Sequence, residues 1–186
     1  PFDLSNKCVL ITGGTRGIGY GMAQALVQAG ARVCIWGTLQ ASANTAAEAL
    51  STDGQAVSAL EVDVADEQAV IDGMRETVAR LGRVDAVFAN AGISRSQTPF
   101  LEMDSELFHK VVSVNLDGAF YTLREAGKHM AERASQGDDS GGSLVGVASL
   151  AAIEGAARNQ HYAATKGGLV SMIRGCAVEL ARYGVR

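Results

Sequence analysis

The first thirty residues constrain the fold more than any other part of the chain. An apolar run of strand length, 7–12, leads directly into a glycine-rich turn at 13–19. Apolar residues then recur at helical spacing: Ile18, Met22, Ala25, Leu26 and Ala29. Gly30 stands where such a helix would be expected to end. The segment therefore predicts a β-strand, a glycine loop and an α-helix in succession.

The same alternation continues along the rest of the chain. Further strands are predicted at 32–37, 56–62, 84–89 and 143–149. Helices are predicted at 40–50 with an end near Asp53-Gly54, around 70–81, at 105–133, and from about Asn159 onward. Strands that alternate with helices indicate a parallel sheet covered on both faces. We expect one domain, 1–186, with a doubly wound, Rossmann-like α/β fold and no closing strand at 183–186.

Composition limits the partners and the location of the protein. The 186 residues are 47% hydrophobic and 19% charged, which is ordinary for a globular chain. A net charge of -4 provides no basic patch for nucleic acid or anionic lipid. No run approaches the roughly 20 apolar residues needed to span a membrane, and the start lacks the apolar core of a signal peptide. We expect a cytoplasmic protein without nucleic-acid or membrane partners.

Neither the cysteines nor the histidines form a recognisable site. The cysteines are odd in number and far apart: Cys8, Cys34 and Cys176. They are expected to be reduced core residues rather than a disulfide framework. The histidines lack the spacing and carboxylate context of metal sites: His109, His129 and His161. No metal is therefore expected, and His161 is interpreted as a helix or pocket-rim residue.

The glycine loop has a specific physical use. Glycines let a backbone turn tightly and approach a pyrophosphate, whose charge is stabilised at a helix N-terminus. The spacing Gly13, Gly17, Gly19 differs from the general dinucleotide fingerprint. It is not a P-loop either, because Tyr20 and Gly21 stand where Lys and Ser or Thr are required. A nucleotide kinase is disfavoured, and a merely tight turn remains the alternative to a cofactor loop.

A tyrosine and a lysine stand four residues apart in the last predicted helix. Tyr162 and Lys166 therefore project from the same helical face. A phenol exchanges its proton poorly at neutral pH, and a close ammonium favours the phenolate by opposite-charge attraction. The pair is thus a candidate acid/base site, although taken alone it would more often be an ordinary solvated face.

Five motifs occur in one order along the chain: Thr12-Gly-Gly-Thr-Arg-Gly-Ile-Gly19, Asn90-Ala-Gly92, Asn115, Ser149, and Tyr162 with Lys166. Together they resemble the classical short-chain dehydrogenase/reductase family, close in pattern to its 3-oxoacyl-(acyl-carrier-protein) reductase branch. The resemblance is collinear from about Asp3 to the last residue. It implies an enzyme that transfers hydride between a nicotinamide and a carbonyl or secondary alcohol. In that family the region beyond Arg186 supplies a substrate lid and the last strands, so the fold is expected to be C-terminally incomplete.

The resemblance also implies roles for four residues. Tyr162 is the acid/base, and Lys166 favours its phenolate and binds the nicotinamide ribose. Ser149 holds the substrate carbonyl oxygen, and Asn115 orders a water in a proton relay behind Lys166. Hydroxyl donors suit this chemistry because hydride addition builds alkoxide character on the carbonyl oxygen. From the residues alone, Ser149 could be a strand-end serine and Asn115 a polar break in a helix. Ser149 is not a nucleophile elbow, which requires glycines on both sides.

The cofactor is expected to bind along the carboxyl ends of the strands. Asp63-Val64 resembles the pair that contacts the adenine, and Asn90 and Gly92 should border the cofactor. The full set of expected cofactor contacts is Gly13, Thr15, Arg16, Gly17, Ile18, Gly19, Thr38, Asp63, Val64, Asn90, Gly92, Tyr162 and Lys166. No acid follows the second strand to repel a 2′-phosphate, and Arg16 could pair with one. The resemblance implies that the hydroxyl of Thr38 also faces it. NADP is therefore the first choice and NAD the alternative.

The substrate is the least constrained part of the prediction. A small-molecule 3-oxoacyl thioester is the first choice, and a small or cyclic secondary alcohol is the next. The resemblance further implies a homotetramer or homodimer that packs through the helices beginning at Ser105 and Asn159. A non-catalytic NAD(P)-binding regulator is the alternative from another functional class.

Overall fold

The computed structural model describes residues 3–52, 56–94 and 98–186. Its sheet is built from strands β1 (Cys8–Thr12), β2 (Arg32–Gly37), β3 (Ser58–Glu61), β4 (Ala86–Ala89) and β5 (Ser143–Gly146). All neighbouring strands are parallel, in the order β3-β2-β1-β4-β5. The chain builds outward from β1 on one side and then from β4 on the other, which creates a topological switch point between these two strands. The predicted doubly wound fold class is confirmed.

Helices connect the strands. They are α1 (Gly17–Gln28), α2 (Gln40–Leu50), α3 (Glu67–Leu81), α4 (Ser105–Val112), α5 (Gly118–Ser135), α6 (Ala151–Glu154) and α7 (Gln160–Leu180), with 3₁₀ turns at Phe100–Glu102 and Ala181–Tyr183. The predicted helix at 105–133 is present, but a π-helical turn, Ser113–Asp117, separates α4 from α5. The predicted end of α2 at Asp53-Gly54 lies outside the described residues. Within the described ranges, no helix combines the length and apolar character needed to cross a bilayer.

The sheet separates two apolar layers because successive side chains of a strand point to opposite faces. Val9, Ile11 and the alternate residues of β2 pack against α1 and α2. Leu10 and Trp36 pack on the other face, against α3, α5 and α7. All of β1 is buried, as expected for a central strand with helices on both sides.

The cysteines are unpaired, as predicted, and Cys8 and Cys34 are buried. Burial raises the pKa of the Cys34 thiol to about 11. Cys176 is only partly buried, so the prediction that all three are core residues is wrong at this position.

Two large apolar side chains do not face the core, and one of them, Ile18, belongs to the predicted apolar stripe of α1. Ile18 is 69% exposed, and the fully buried positions of α1 are Gly19, Ala23 and Val27. Small residues are needed there because α1 packs closely against the turn that follows β1. Phe120 on α5 is 42% exposed. Its ring lies under the Arg124 guanidinium, 5.0 Å from the ring centroid, so a cation–π contact replaces core packing.

The last residues pair with β5. Val185 forms an isolated parallel bridge with Gly142. The Leu144 N–H donates to the Arg186 carbonyl at 2.8 Å, and the Arg186 N–H donates to the Gly142 carbonyl at 3.1 Å. No sixth strand is assigned within the described residues, but the hydrogen-bonded edge extends beyond β5.

The buried hydroxyl of Thr77 offers a test of the packing between the sheet and α3. The Trp36 indole N–H donates to Thr77 Oγ1 at 2.9 Å, and both residues are fully buried. Thr77→Val keeps the side chain's outline and removes the acceptor. We expect urea denaturation to show a loss of about 1–3 kcal/mol in the free energy of unfolding, because the indole N–H is left without a partner.

Thr45→Val is the matched control. Thr45 is exposed on α2, and its hydroxyl donates to the Ala41 carbonyl of its own helix. This variant should stay within about 0.5 kcal/mol of the parent. Equal losses in the two variants would contradict the importance assigned to the bond between Trp36 and Thr77.

Candidate active site

A cavity of about 940 Å³ lies at the carboxyl edge of the sheet. Its wall is formed by the segments that follow the five strands, together with parts of α1, α2, α4 and α7. Ligands of open α/β sheets bind at this edge, near the topological switch point. The wall includes every residue expected to contact the cofactor: Gly13, Thr15, Arg16, Gly17, Ile18, Gly19, Thr38, Asp63, Val64, Asn90, Gly92, Tyr162 and Lys166. Their contact with a cofactor stays a prediction.

The glycine loop supplies the conformation that a phosphate site requires. Gly13 and Gly17 have φ values of 65° and 56°, in the left-handed region that favours glycine. A Cβ on Gly19 would collide with the Gly13 carbonyl and with the Asn90 amide. Helix α1 begins without a side-chain cap and without an acidic residue in its first turn. Its first N–H groups and its dipole therefore favour an anion.

Asn90 fixes the glycine loop against β4. Its Nδ2 donates to the carbonyls of Thr12 and Gly13 at 2.9 and 3.2 Å. In return, Thr12 Oγ1 accepts the N–H groups of Asn90 and Ala91 at 3.1 and 3.0 Å. Both hydrogens of the Asn90 amide are thus used within the protein. Asn90 lines the cavity, but its amide positions the loop.

Tyr162 and Lys166 lie on adjacent turns of α7 and both reach the cavity wall. Lys166 is only 4% exposed, and its Nζ donates to the Val147 carbonyl at 2.6 Å. The same Nζ lies 5.7 Å from the centroid of the Tyr162 ring. Burial lowers the pKa of Lys166, and no ion pair among the described residues involves it. The ammonium retains donor capacity for a phenolate or a ligand hydroxyl.

Asn115 lies in the π-helical turn, behind the cavity wall. Its Oδ1 accepts the Ile93 N–H at 2.7 Å, and its Nδ2 donates to the Ile93 carbonyl at 2.9 Å and to Thr165 Oγ1 at 3.3 Å. A Cβ on Gly92 would stand 3.3 Å from Asn115 Oδ1 and 3.5 Å from Lys166 Nζ. Asn115 and Lys166 therefore approach the same glycine from two sides. The amide joins the segment after β4 to α7 and keeps one free acceptor direction on Oδ1.

Ser149 lies one residue beyond Ala148, which lines the cavity. Ser149 itself is half-buried and is not part of the wall. Its Oγ accepts the Ala151 N–H at 3.3 Å, at the start of α6. The structure therefore brings Tyr162 and Lys166 into the cavity and leaves Ser149 at its border.

A hydrogen bond between two side chains joins Ser94, which lines the cavity, to Asn159, and no sequence pattern predicts it. Asn159 Nδ2 donates to Ser94 Oγ at 3.1 Å, which joins the segment after β4 to the start of α7. Arg158, the preceding residue, has a φ of 59° and is the one non-glycine residue with positive φ in the described part of the chain. The bridge lies one helical turn before Tyr162.

Several other features of the site escaped the sequence analysis. Val147 contributes a backbone carbonyl, which no side-chain pattern reveals. Lys110 and Ser42 reach the wall from α4 and α2. His161 lies in α7, as the helix interpretation predicts, and it is not at the cavity rim. Its ring is fully buried, and neither ring nitrogen has a hydrogen-bond partner among the described residues.

The fold and this cavity define a Rossmann-like nucleotide-binding protein. The sequence profile described as short chain dehydrogenase matches residues 7–186, and the chain belongs to the short-chain dehydrogenase/reductase family. The family resemblance predicted from the sequence is confirmed. Its members are oxidoreductases that act on CH–OH and carbonyl groups.

Relatives with different named substrates resemble the chain to similar degrees. L-rhamnose 1-dehydrogenase (NAD(P)(+)) of Azotobacter vinelandii is 36% identical over 98% of this chain and 71% of its own length. The 3-oxoacyl-(acyl-carrier-protein) reductase of Chlamydia pneumoniae is 33% identical over the same shares. The crystal structure of 3-ketoacyl-(acyl-carrier-protein) reductase from Brucella melitensis, complexed with NADH, superposes with a TM-score of 0.92 at 31% identity, over 99% of this chain and 74% of that one.

The bridge between Ser94 and Asn159 can be tested by a double-mutant cycle. Ser94→Ala and Asn159→Ala each remove one partner. Because the two side chains bond to each other, their effects on the free energy of unfolding should be non-additive, with a coupling of at least about 0.5 kcal/mol. Denaturation of the parent, both single variants and the double variant gives this number, and strict additivity would contradict the bridge.

Proposed function

We propose that the chain catalyses reversible hydride transfer between a nicotinamide dinucleotide and a ketone or secondary alcohol. The observation that carries this proposal is that one cavity joins the uncapped start of α1 to Tyr162 and the buried Lys166, which forms no ion pair with the residues that the structure describes. The residues present fit such a cofactor, because the glycine turn and the uncapped start of α1 present backbone N–H groups to a phosphate in the cavity wall. When bound, the dinucleotide supplies or removes the hydride.

The protein's own residues would transfer the proton and stabilise the developing charge on the substrate oxygen. In the reductive direction, Tyr162 donates its phenolic proton to the substrate oxygen as alkoxide character develops. Lys166 favours the resulting phenolate by its charge and binds the nicotinamide ribose. Ser149 donates a hydrogen bond to the same substrate oxygen. Asn115 holds the wall behind Lys166, and its free acceptor direction on Oδ1 would receive the relay water.

NADP is the proposed first cofactor and NAD the alternative. Arg16 and Thr38 lie in the cavity wall and are exposed, so both are available to a 2′-phosphate. Neither Thr38 nor Leu39, which follow β2, is acidic. The names of the relatives, NAD(P)(+) for one and a complex with NADH for another, support keeping both cofactors in the test.

For the substrate we propose a 3-oxoacyl thioester first and a small or cyclic secondary alcohol second. The named activities of the Chlamydia and Brucella relatives support the thioester. The sugar in the name of the Azotobacter relative supports the second class. Turnover of 3-oxoacyl thioesters and cyclic ketones with the same enzyme preparation separates the two.

We further propose that the chain forms a homodimer or homotetramer through α4, α5 and α7. These helices expose apolar side chains: Phe108 at 37%, Phe120 at 42% and Val178 at 82%. Light scattering on the purified protein gives the mass of the assembly. A cytoplasmic location stays a prediction from composition.

The acid/base assignment predicts opposite patterns for two substitutions. Tyr162→Phe removes the ionisable hydroxyl and should lower kcat by at least about 100-fold, with the NADPH Kd nearly unchanged. Lys166→Ala should weaken both turnover and cofactor binding, because the ammonium serves the phenol and the ribose. Steady-state kinetics and calorimetric titration measure the two quantities.

Tyr183→Phe is the matched control, since Tyr183 lies in the last 3₁₀ turn and stacks on Arg182. It should retain parental activity. A fully active Tyr162→Phe variant would show that the acid/base is another group. Cofactor binding without reduction of any ketone or thioester would favour the non-catalytic regulator.

The phosphate-site assignment is tested at Thr38. Thr38→Asp places a carboxylate where the 2′-phosphate is expected and should shift the ratio of kcat/KM values toward NADH by about 10-fold or more. Measurement of kcat/KM with each cofactor gives the ratio. An unchanged preference for NADPH would contradict the assignment.

A further inference from the structure

A carboxylate from β3 lies at the start of α2, although no acid follows β2 in the sequence. The parallel register pairs Gly37, the last residue of β2, with Glu61. From there Glu61 Oε2 accepts the Gln40 N–H, the first of α2, at 2.8 Å. The Gln40 side chain returns the contact, since its Oε1 accepts the Glu61 N–H at 3.0 Å. Two reciprocal bonds thus hold the carboxylate in place.

This carboxylate lies beside the part of the cavity expected to hold the cofactor's adenosine. Thr38, Leu39 and Ser42 line the wall, and Gln40 lies between them in the chain. Given the fixed dimensions of the backbone, Glu61 Oε2 lies within about 9 Å of the Thr38 Cα. That distance is comparable to the Debye length at physiological ionic strength, about 8 Å, so its field reaches this part of the wall.

Charges of both signs lie around this part of the cavity. Arg16 supplies a cation, whereas Asp63 in the wall and Glu61 behind it supply carboxylates. The positive end of the α2 dipole, which would otherwise favour a phosphate, is already occupied by Glu61. A 2′-phosphate brings close to two negative charges into this field, and a 2′-hydroxyl brings none. The carboxylate therefore penalises one cofactor only.

We propose that Glu61 is a cofactor-selecting residue whose carboxylate is held at the start of α2 by Gln40. The carboxylate repels a 2′-phosphate and so reduces the preference for NADP over NAD that Arg16 provides. This proposal rests on the proposed function. It differs from selection by an acid at the end of β2, because the charge comes from the neighbouring strand and depends on the register between Gly37 and Glu61.

Glu61→Gln tests the proposal because it removes the charge and keeps an oxygen that can accept the Gln40 N–H. Calorimetric titration at low salt should show the NADPH Kd falling by about three-fold, with the NADH Kd within a factor of about two of the parent. The change in the ratio of the NADPH and NADH dissociation constants should be smaller in high salt, since the effect is electrostatic. Thermal unfolding followed by circular dichroism checks that the variant is folded.

Glu48→Gln is the matched control, because it makes the same charge change on α2, the helix whose start Glu61 contacts, but far from that start. It should leave both dissociation constants unchanged. An unchanged ratio of dissociation constants in Glu61→Gln, or an equal shift in Glu48→Gln, overturns the role of Glu61. If the parent protein binds neither cofactor, the proposed function fails, and this inference fails with it.

Discussion

The structure of the site depends on the buried ammonium of Lys166, whose lost hydration must be replaced by hydrogen bonds from the protein. Taking a charge out of water is costly unless hydrogen bonds replace its hydration. The protein supplies the Val147 carbonyl at 2.6 Å, and Val147 stands there because β5 ends at Gly146. The remaining donors point to no carboxylate in the described structure. An ammonium held in this way can stabilise negative charge that arrives or develops beside it.

The rest of the site holds the elements around that group in register. Asn115, in the π-helical turn, binds both backbone groups of Ile93 and reaches Thr165 on α7. Thr165 in turn donates to the Tyr162 carbonyl at 2.8 Å. One amide therefore couples the segment after β4 to the helix that carries Tyr162 and Lys166. Bare backbone at Gly92 lets the two sides approach.

Features that follow from the local spacing of apolar residues could be predicted from the sequence. Features that depend on how neighbouring strands pair could not. The strands and the glycine loop follow from apolar runs and a change of period, and the structure contains them. The stripe assigned through Ile18 is wrong because close packing at Gly19 rotates α1 toward its small residues. The contact between Glu61 and Gln40 could not be predicted, since it exists only when β3 pairs with β2 in one particular register. The role of the Val147 carbonyl could not be predicted either, because every residue has a backbone carbonyl.

The central claim is that the Tyr162 end of the cavity holds a nicotinamide beside a carbonyl substrate. Transfer of a label tests it most directly. The protein is incubated with NADPH deuterated at one face of C4 and with a 3-oxoacyl thioester or a cyclic ketone, and the alcohol is examined by mass spectrometry. We expect an alcohol that carries one deuterium from one of the two C4 faces and none from the other. Alcohol formed without deuterium from either face, or no alcohol from either substrate class while the cofactor binds, would contradict it.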